Sequence, residues 1–151
     1  MGKLLMVTFS DYAIRMTGVN NALSYLLKNA ITGVFPNVVI NYQLVLVSRG
    51  SLPNATNPTA TPQANGIVQF RWTNNAGVGI AKPTDKAVLV VYCEEIKMSL
   101  YTYTGNDRST EVQDFDAKVF TGKVVQTYVG FISENEREIA SSLYTGEMTV
   151  K

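Results

Sequence analysis

From Gly66 to the C-terminus the sequence is a succession of short runs with a period of two, divided by turn residues, and no stretch between them carries a helical period. Val68, Phe70 and Trp72 fall on one face of a run whose other face holds Gln69 and Arg71. Ala87 to Cys93 is continuously apolar and of strand length, the pattern of a central strand covered on both faces. Lys97–Thr104 is a further strand, ended by the turn Gly105-Asn-Asp107, and Glu111–Phe120 reads as one more. Val124–Ser133 is strongly β, Glu134-Asn-Glu136 turns the chain, Glu138–Tyr144 returns as a hairpin arm, and Met148–Val150 adds a short terminal strand. Parallel strands need long crossover connections, usually helices. Their absence predicts a mainly β fold, an antiparallel β-sandwich.

The first third reads differently. Between Ser10 and Ile31 the apolar residues Val19, Leu23, Leu26, Leu27, Ala30 and Ile31 recur at helical spacing, and Gly33 stands where a helix stop belongs. This predicts an N-terminal α-helical segment over Val19–Ile31, with Asn20, Asn21, Ser24 and Lys28 on its outer face. After Pro36, the alternation of Val38, Ile40, Tyr42, Leu44 and Leu46 predicts a strand closed by Arg49-Gly-Ser51. Residues 51–65, with prolines at 53, 58 and 62, read as an extended loop or an irregular edge strand. The expected organisation is residues 1–50 as helix plus strand and 51–151 as the sandwich, joined in one compact unit. The 151 residues suit one domain, able to bury roughly 68–70% of the unfolded surface without a staple.

The pattern from Gly66 onward resembles an immunoglobulin-like, and more closely a fibronectin type III-like, domain. Strand B would be Ile67–Thr73 with Trp72 in the core, strand C Ala87–Glu94, and strands F and G Val124–Ser133 and Glu138–Tyr144. The single cysteine, Cys93, rules out the immunoglobulin disulfide. Several stretches resemble an uncharacterised family of Bacteroidota proteins, a domain of unknown function. They are Asp11-Tyr-Ala-Ile-Arg-Met-Thr17, Leu27-Lys-Asn-Ala-Ile-Thr-Gly33, Val45-Leu-Val-Ser-Arg-Gly-Ser-Leu52, Gly77-Val-Gly-Ile-Ala-Lys82, Asp85-Lys-Ala-Val-Leu89 and Tyr128-Val-Gly-Phe-Ile-Ser133. The resemblance implies a bacterial or phage origin and no activity or site residue. It also implies a basic, glycine-rich segment before the region of Phe9, which is expected to be missing here.

Composition removes several function classes. Net charge is +1 and the basic residues are dispersed, so no basic face is expected for nucleic acid. Histidine is absent, which removes the commonest general base and metal ligand. Cys93 has no histidine to activate it, no Ser-x-x-Lys occurs, and Gly77-Val-Gly79 lacks the strand-to-helix setting of a phosphate loop. No enzyme and no cofactor is expected. Leu4 to Val7 is too short for a secretory apolar region and no run reaches membrane-span length, so a cytoplasmic or virion address is expected.

The candidate sites are therefore contact surfaces. Tyr101 and Tyr103 lie two apart on a strand, so both rings project from one face. Exposed, they would stack on sugar rings or anchor a protein partner; the plainer reading is cross-strand packing. The Asn20, Asn21, Ser24 and Lys28 face would suit a polar subunit contact, against the plainer reading of a helix covering its own domain. Low charge content, 17%, favours burial against neighbours. The leading expectation is a non-catalytic structural or interaction protein, a homo-oligomer or part of a larger virion or cell-surface assembly. A carbohydrate- or protein-binding module using the tyrosine face is the second. A carboxylate-dependent hydrolase is the third, requiring a cleft with two of Asp85, Glu94, Glu95, Asp114 and Asp116; Asp114 and Asp116 are the pair to consider for calcium.

Overall fold

The computed structural model describes Ile31, Thr32 and residues 39–151. Among these, the chain forms β1 (Ile31–Thr32), β2 (Val39–Ile40), β3 (Thr56–Gln63), β4 (Ile67–Thr73), β5 (Lys86–Cys93), β6 (Met98–Thr102), β7 (Val112–Asp116), β8 (Val124–Ile132) and β9 (Leu143–Thr149). All pairings between these strands are antiparallel. The order β3-β4-β7 makes a three-stranded sheet and β6-β5-β8-β9 a four-stranded one, while β1 and β2 pair only with each other.

Alternation along the strands builds the core between the sheets. Val68, Phe70 and Trp72 of β4 meet Ala87, Leu89, Val91 and Cys93 of β5 and Val125, Val129 and Phe131 of β8. Trp72 is inward as expected, edge-on to Phe131 at 5.3 Å between ring centroids, and its indole N–H donates to the Arg108 carbonyl at 2.8 Å. Burial of each large side chain stabilises the fold by about 1.5–3 kcal/mol. At one end of this core lies a fully buried ion pair. Arg108 donates from Nε and Nη2 to Asp85 Oδ2 at 3.1 and 3.0 Å, from Nη1 to Asn75 Oδ1 at 2.6 Å and from Nη2 to the Pro53 carbonyl at 2.7 Å. Its guanidinium sits 4.4 Å from the centre of the Phe131 ring. Burial lowers the Arg108 pKa, and the Asp85 carboxylate pushes it back up.

The β3–β4 hairpin turns through Ala64-Asn65-Gly66 with Asn65 at φ 64° and Gly66 at φ 74°. Gly66 also lies so close to the 118–120 turn that a Cβ would stand 2.6 Å from Lys118 Cα. Gly66→Ala therefore combines a left-handed backbone with a clash. It is expected to destabilise the protein by at least about 1–2 kcal/mol, read as a fall in the urea midpoint.

Several expectations need correction. The helical segment over Val19–Ile31, and with it Asn20, Asn21, Ser24 and Lys28, lies outside the described residues except for Ile31, which pairs with Ile40 as strand. The strand predicted from Val38 to Leu46 is interrupted. Asn41 accepts a hydrogen bond from the Gln43 amide and starts a 3-10 turn over Tyr42–Leu44, which resets the period, so Val45 and Val47 are buried and Leu44 is exposed. The Glu111–Phe120 strand stops at Asp116, whose carboxylate accepts from the Lys118 amide and opens a second 3-10 turn, Lys118–Phe120. The last arm begins at Leu143 rather than Glu138, because Ile139 and Ala140 form only isolated bridges, to Ile132 and to Ser51 and Leu52. Residues 51–65 do contain an edge strand, β3, with a register break between Thr56 and Thr59.

Candidate interaction surface

The residues of β5 that point away from the core are Val88, Val90 and Tyr92, and they define the outer face of the four-stranded sheet. Register carries this face across the strands. Tyr101, Val90, Tyr128 and Tyr144 form one cross-strand row, and Ser99, Tyr92, Gln126 and Glu147 the next. Residues 42–47 lie over part of it, with Val45, Val47 and Tyr42 packed on Val90, Tyr128 and Tyr144. Six of the chain's eight tyrosines therefore gather here: Tyr42, Tyr92, Tyr101, Tyr103, Tyr128 and Tyr144.

The covered part is knitted by hydroxyl hydrogen bonds. Tyr128 donates to the Tyr42 carbonyl at 2.9 Å, Tyr42 and Tyr92 both donate to Glu94 Oε2 at 2.7 and 2.6 Å, and Tyr144 donates to Gln126 Oε1 at 2.5 Å. Gln126 in turn donates to Glu147 Oε2 at 2.7 Å. An open groove of about 470 Å³ runs beside them, lined by residues 39–43, Gln126, Tyr144 and Glu147. Desolvation raises the pKa of Tyr128 far above the ordinary phenol range, and raises those of Tyr42, Tyr92 and Tyr144 as well. Unfolded tyrosines ionise near pH 10, whereas these four ionise at higher pH in the fold, Tyr128 most of all. Above about pH 10 the unfolded state therefore binds fewer protons, and stability declines as pH rises. Denaturant unfolding is expected to show constant stability from this source up to about pH 9 and a steep loss by about pH 11, with a shallower slope in Tyr128→Phe.

Tyr101 and Tyr103 escape this cover. They are 40% and 43% exposed, with ring centroids 6.3 Å apart and planes 18° from parallel. Ile96 and Met98 are exposed on the same margin of the sheet. The pair that the sequence singled out is thus brought together at the surface.

The candidate carboxylates are each engaged within the chain. Asp85 is buried against Arg108, Glu94 takes the two tyrosine hydroxyls and Lys97, and Glu95 takes Lys123. Asp114 accepts from Gln69, and Asp116 accepts from the Lys118 amide. A cavity of about 390 Å³ at the end of the sandwich holds Asp85 alone of these five, beside Leu52, Ile80, Ser133, Glu134 and Glu138. Among the described residues, no group of three or more histidine, cysteine, aspartate or glutamate side chains could hold a metal ion, and no helix is long and apolar enough to cross a membrane. Cys93 is buried at the end of β5.

The fold and its surface define a class: a two-sheet antiparallel β-sandwich with a tyrosine-bearing outer face. Residues 1–146 match the family of unknown function DUF6266, and the chain belongs to that family. Among solved structures the chain is similar to a fibronectin type III domain of the human collagen alpha-1(XX) chain. The TM-score is 0.45 and the identity 11%, over 68% of this chain and 90% of that domain. No curated protein matches.

Proposed function

We propose that this is a non-catalytic interaction protein whose contact element is the Tyr101–Tyr103 pair, with protein subunits, copies of itself included, as partners. The observation that carries the reading is the exposure of both rings, side by side, on a sheet whose other tyrosines are covered. Exposed aromatic pairs supply large rigid contact area, and tyrosines are enriched among the residues that dominate binding energy. The engagement of the candidate carboxylates within the chain, the burial of Cys93 and the absence of histidine support a role without catalysis. A part in a bacterial or phage assembly, in a virion or at a cell surface, suits such a protein.

The near-parallel rings favour a second reading, a carbohydrate-binding module in which sugar rings stack on the pair. Both readings meet one test. Particle mass by light scattering and retention on a panel of immobilised polysaccharides are compared for the wild type and for Tyr101→Ala combined with Tyr103→Ala. Loss of assembly identifies protein contact and loss of retention identifies sugar contact. Loss of an aromatic contact of this kind is expected to weaken binding about 30-fold or more. A double variant matching the wild type in both measurements sinks the proposal.

A further inference from the structure

A strand at the margin of a sheet leaves one row of backbone N–H and C=O groups without a ladder partner, and proteins guard such rows with prolines, charges or bulges. Three of the four margins here are guarded. β3 carries Pro58 and Pro62 and a register break, with Asn57 at φ 50°. β7 exposes the charged side chains of Asp114 and Asp116. β9 carries Glu147 and a bulge beside Gly146, where the register with β8 shifts. β6 has none of these devices. Its sequence, Met-Ser-Leu-Tyr-Thr, contains no proline and no charge. It pairs with β5 without a break from Cys93↔Met98 to Leu89↔Thr102, and no described strand pairs with its far side.

We propose that β6 is the pairing edge of a twofold dimer, in which β6 of one copy lies antiparallel to β6 of a second and joins two four-stranded sheets into one. This rests on the reading of the β6 margin as the contact surface and names its partner. The strand complements itself when the axis passes through Leu100. Leu100 then faces its own counterpart, each Met98 faces a Thr102, and each Ser99 faces a Tyr101. On the outer face a small residue thus lies opposite a large ring in both halves, the kind of cross-strand pair that stabilises sheets. Nothing in the uncharged run repels its copy, and the charges nearest its two ends are paired within the chain, Lys97 with Glu94 and Lys86 with Asp107. Ser99 Oγ, shielded from solvent, has no hydrogen-bond partner among the described residues.

The register makes the test specific. Facing residues of an antiparallel pair have Cα atoms about 4.5–5.5 Å apart, within disulfide reach. Leu100→Cys places one thiol on each side of the axis, whereas the thiol of Met98→Cys would stand on the order of 13 Å from its counterpart. The natural thiol, Cys93, is buried in the core. The full chain is expected to have twice the 16.6 kDa particle mass of one copy, and mild oxidation is expected to convert Leu100→Cys, and not Met98→Cys, to a covalent dimer. A wild type that stays monomeric at high concentration overturns the proposal, as does a dimer in which the two variants cross-link equally or not at all. A monomer whose polysaccharide retention still depends on Tyr101 and Tyr103 overturns the pairing and leaves the contact reading standing.

Discussion

Asp85→Ala is expected to destabilise the protein by about 3–5 kcal/mol, a large part of the roughly 5–15 kcal/mol that holds a domain folded. The substitution removes the acceptor of two guanidinium hydrogen bonds and of the Lys82 amide, and leaves the Arg108 charge in the interior. Arg108 is fully buried, so water cannot replace the lost carboxylate without opening the end of the sandwich. Among the described residues, Asn75, the Pro53 carbonyl and the Phe131 ring remain to stabilise it. The cost comes from stranding one charge rather than from a large net value of the pair. Replacing both residues, as Asp85→Leu with Arg108→Met, is therefore expected to cost much less than Asp85→Ala alone. Urea unfolding of the three proteins measures the difference. Equal losses in the single and double variants would mean that the ion pair is not what the site contributes.

Trp72→Ala is expected to cost about 3–5 kcal/mol, by emptying the largest side chain of the core. Trp72 fills the space beside Phe131, and its indole N–H satisfies the carbonyl of Arg108, so its removal creates a cavity and strands an acceptor. Trp72→Phe restores part of the volume without the N–H and is expected to recover a good part of the loss. Trp72 and Asp85 also act on shared neighbours: Trp72 holds the backbone of Arg108 and Asp85 its side chain, while Phe131 touches both Trp72 and the guanidinium. Their combined variant is expected to depart from additivity by more than about 0.5 kcal/mol. Strict additivity in a thermal or urea series would show that the two ends of this cluster are independent.

The candidate surface was only partly legible in the sequence. The spacing of Tyr101 and Tyr103 placed both rings on one face, because side chains two apart on a strand always share one. Whether that face was covered depended on residues 42–47, about sixty positions earlier, which pack on Tyr128 and Tyr144 and stop short of β6. Tyr42, Tyr128 and Tyr144 carried no sequence signal of belonging to the same face, since their grouping follows from pairing between distant strands. Asp85 was one of five candidates for a two-carboxylate cleft and is half of a buried ion pair. Its partner, Arg108, sits behind a turn in a stretch with no pattern of its own.

What the sequence by itself determined is the local geometry. Alternation in β4, the apolar run of β5 and the turn residues between the strands specify a mainly β chain and orient each side chain within its own strand, since period and turn chemistry act over two to four residues. Short interruptions were lost, because a single side-chain-to-backbone hydrogen bond, at Asn41 or Asp116, resets the pattern without changing composition. The tertiary structure alone decided which outer residues are covered, which charge is paired and which edge is left open. Those outcomes depend on contacts between residues tens of positions apart, and no local period records them. The absence of a catalytic signature belongs to the first kind of knowledge, while the exposed tyrosine pair at the unguarded β6 edge belongs to the second.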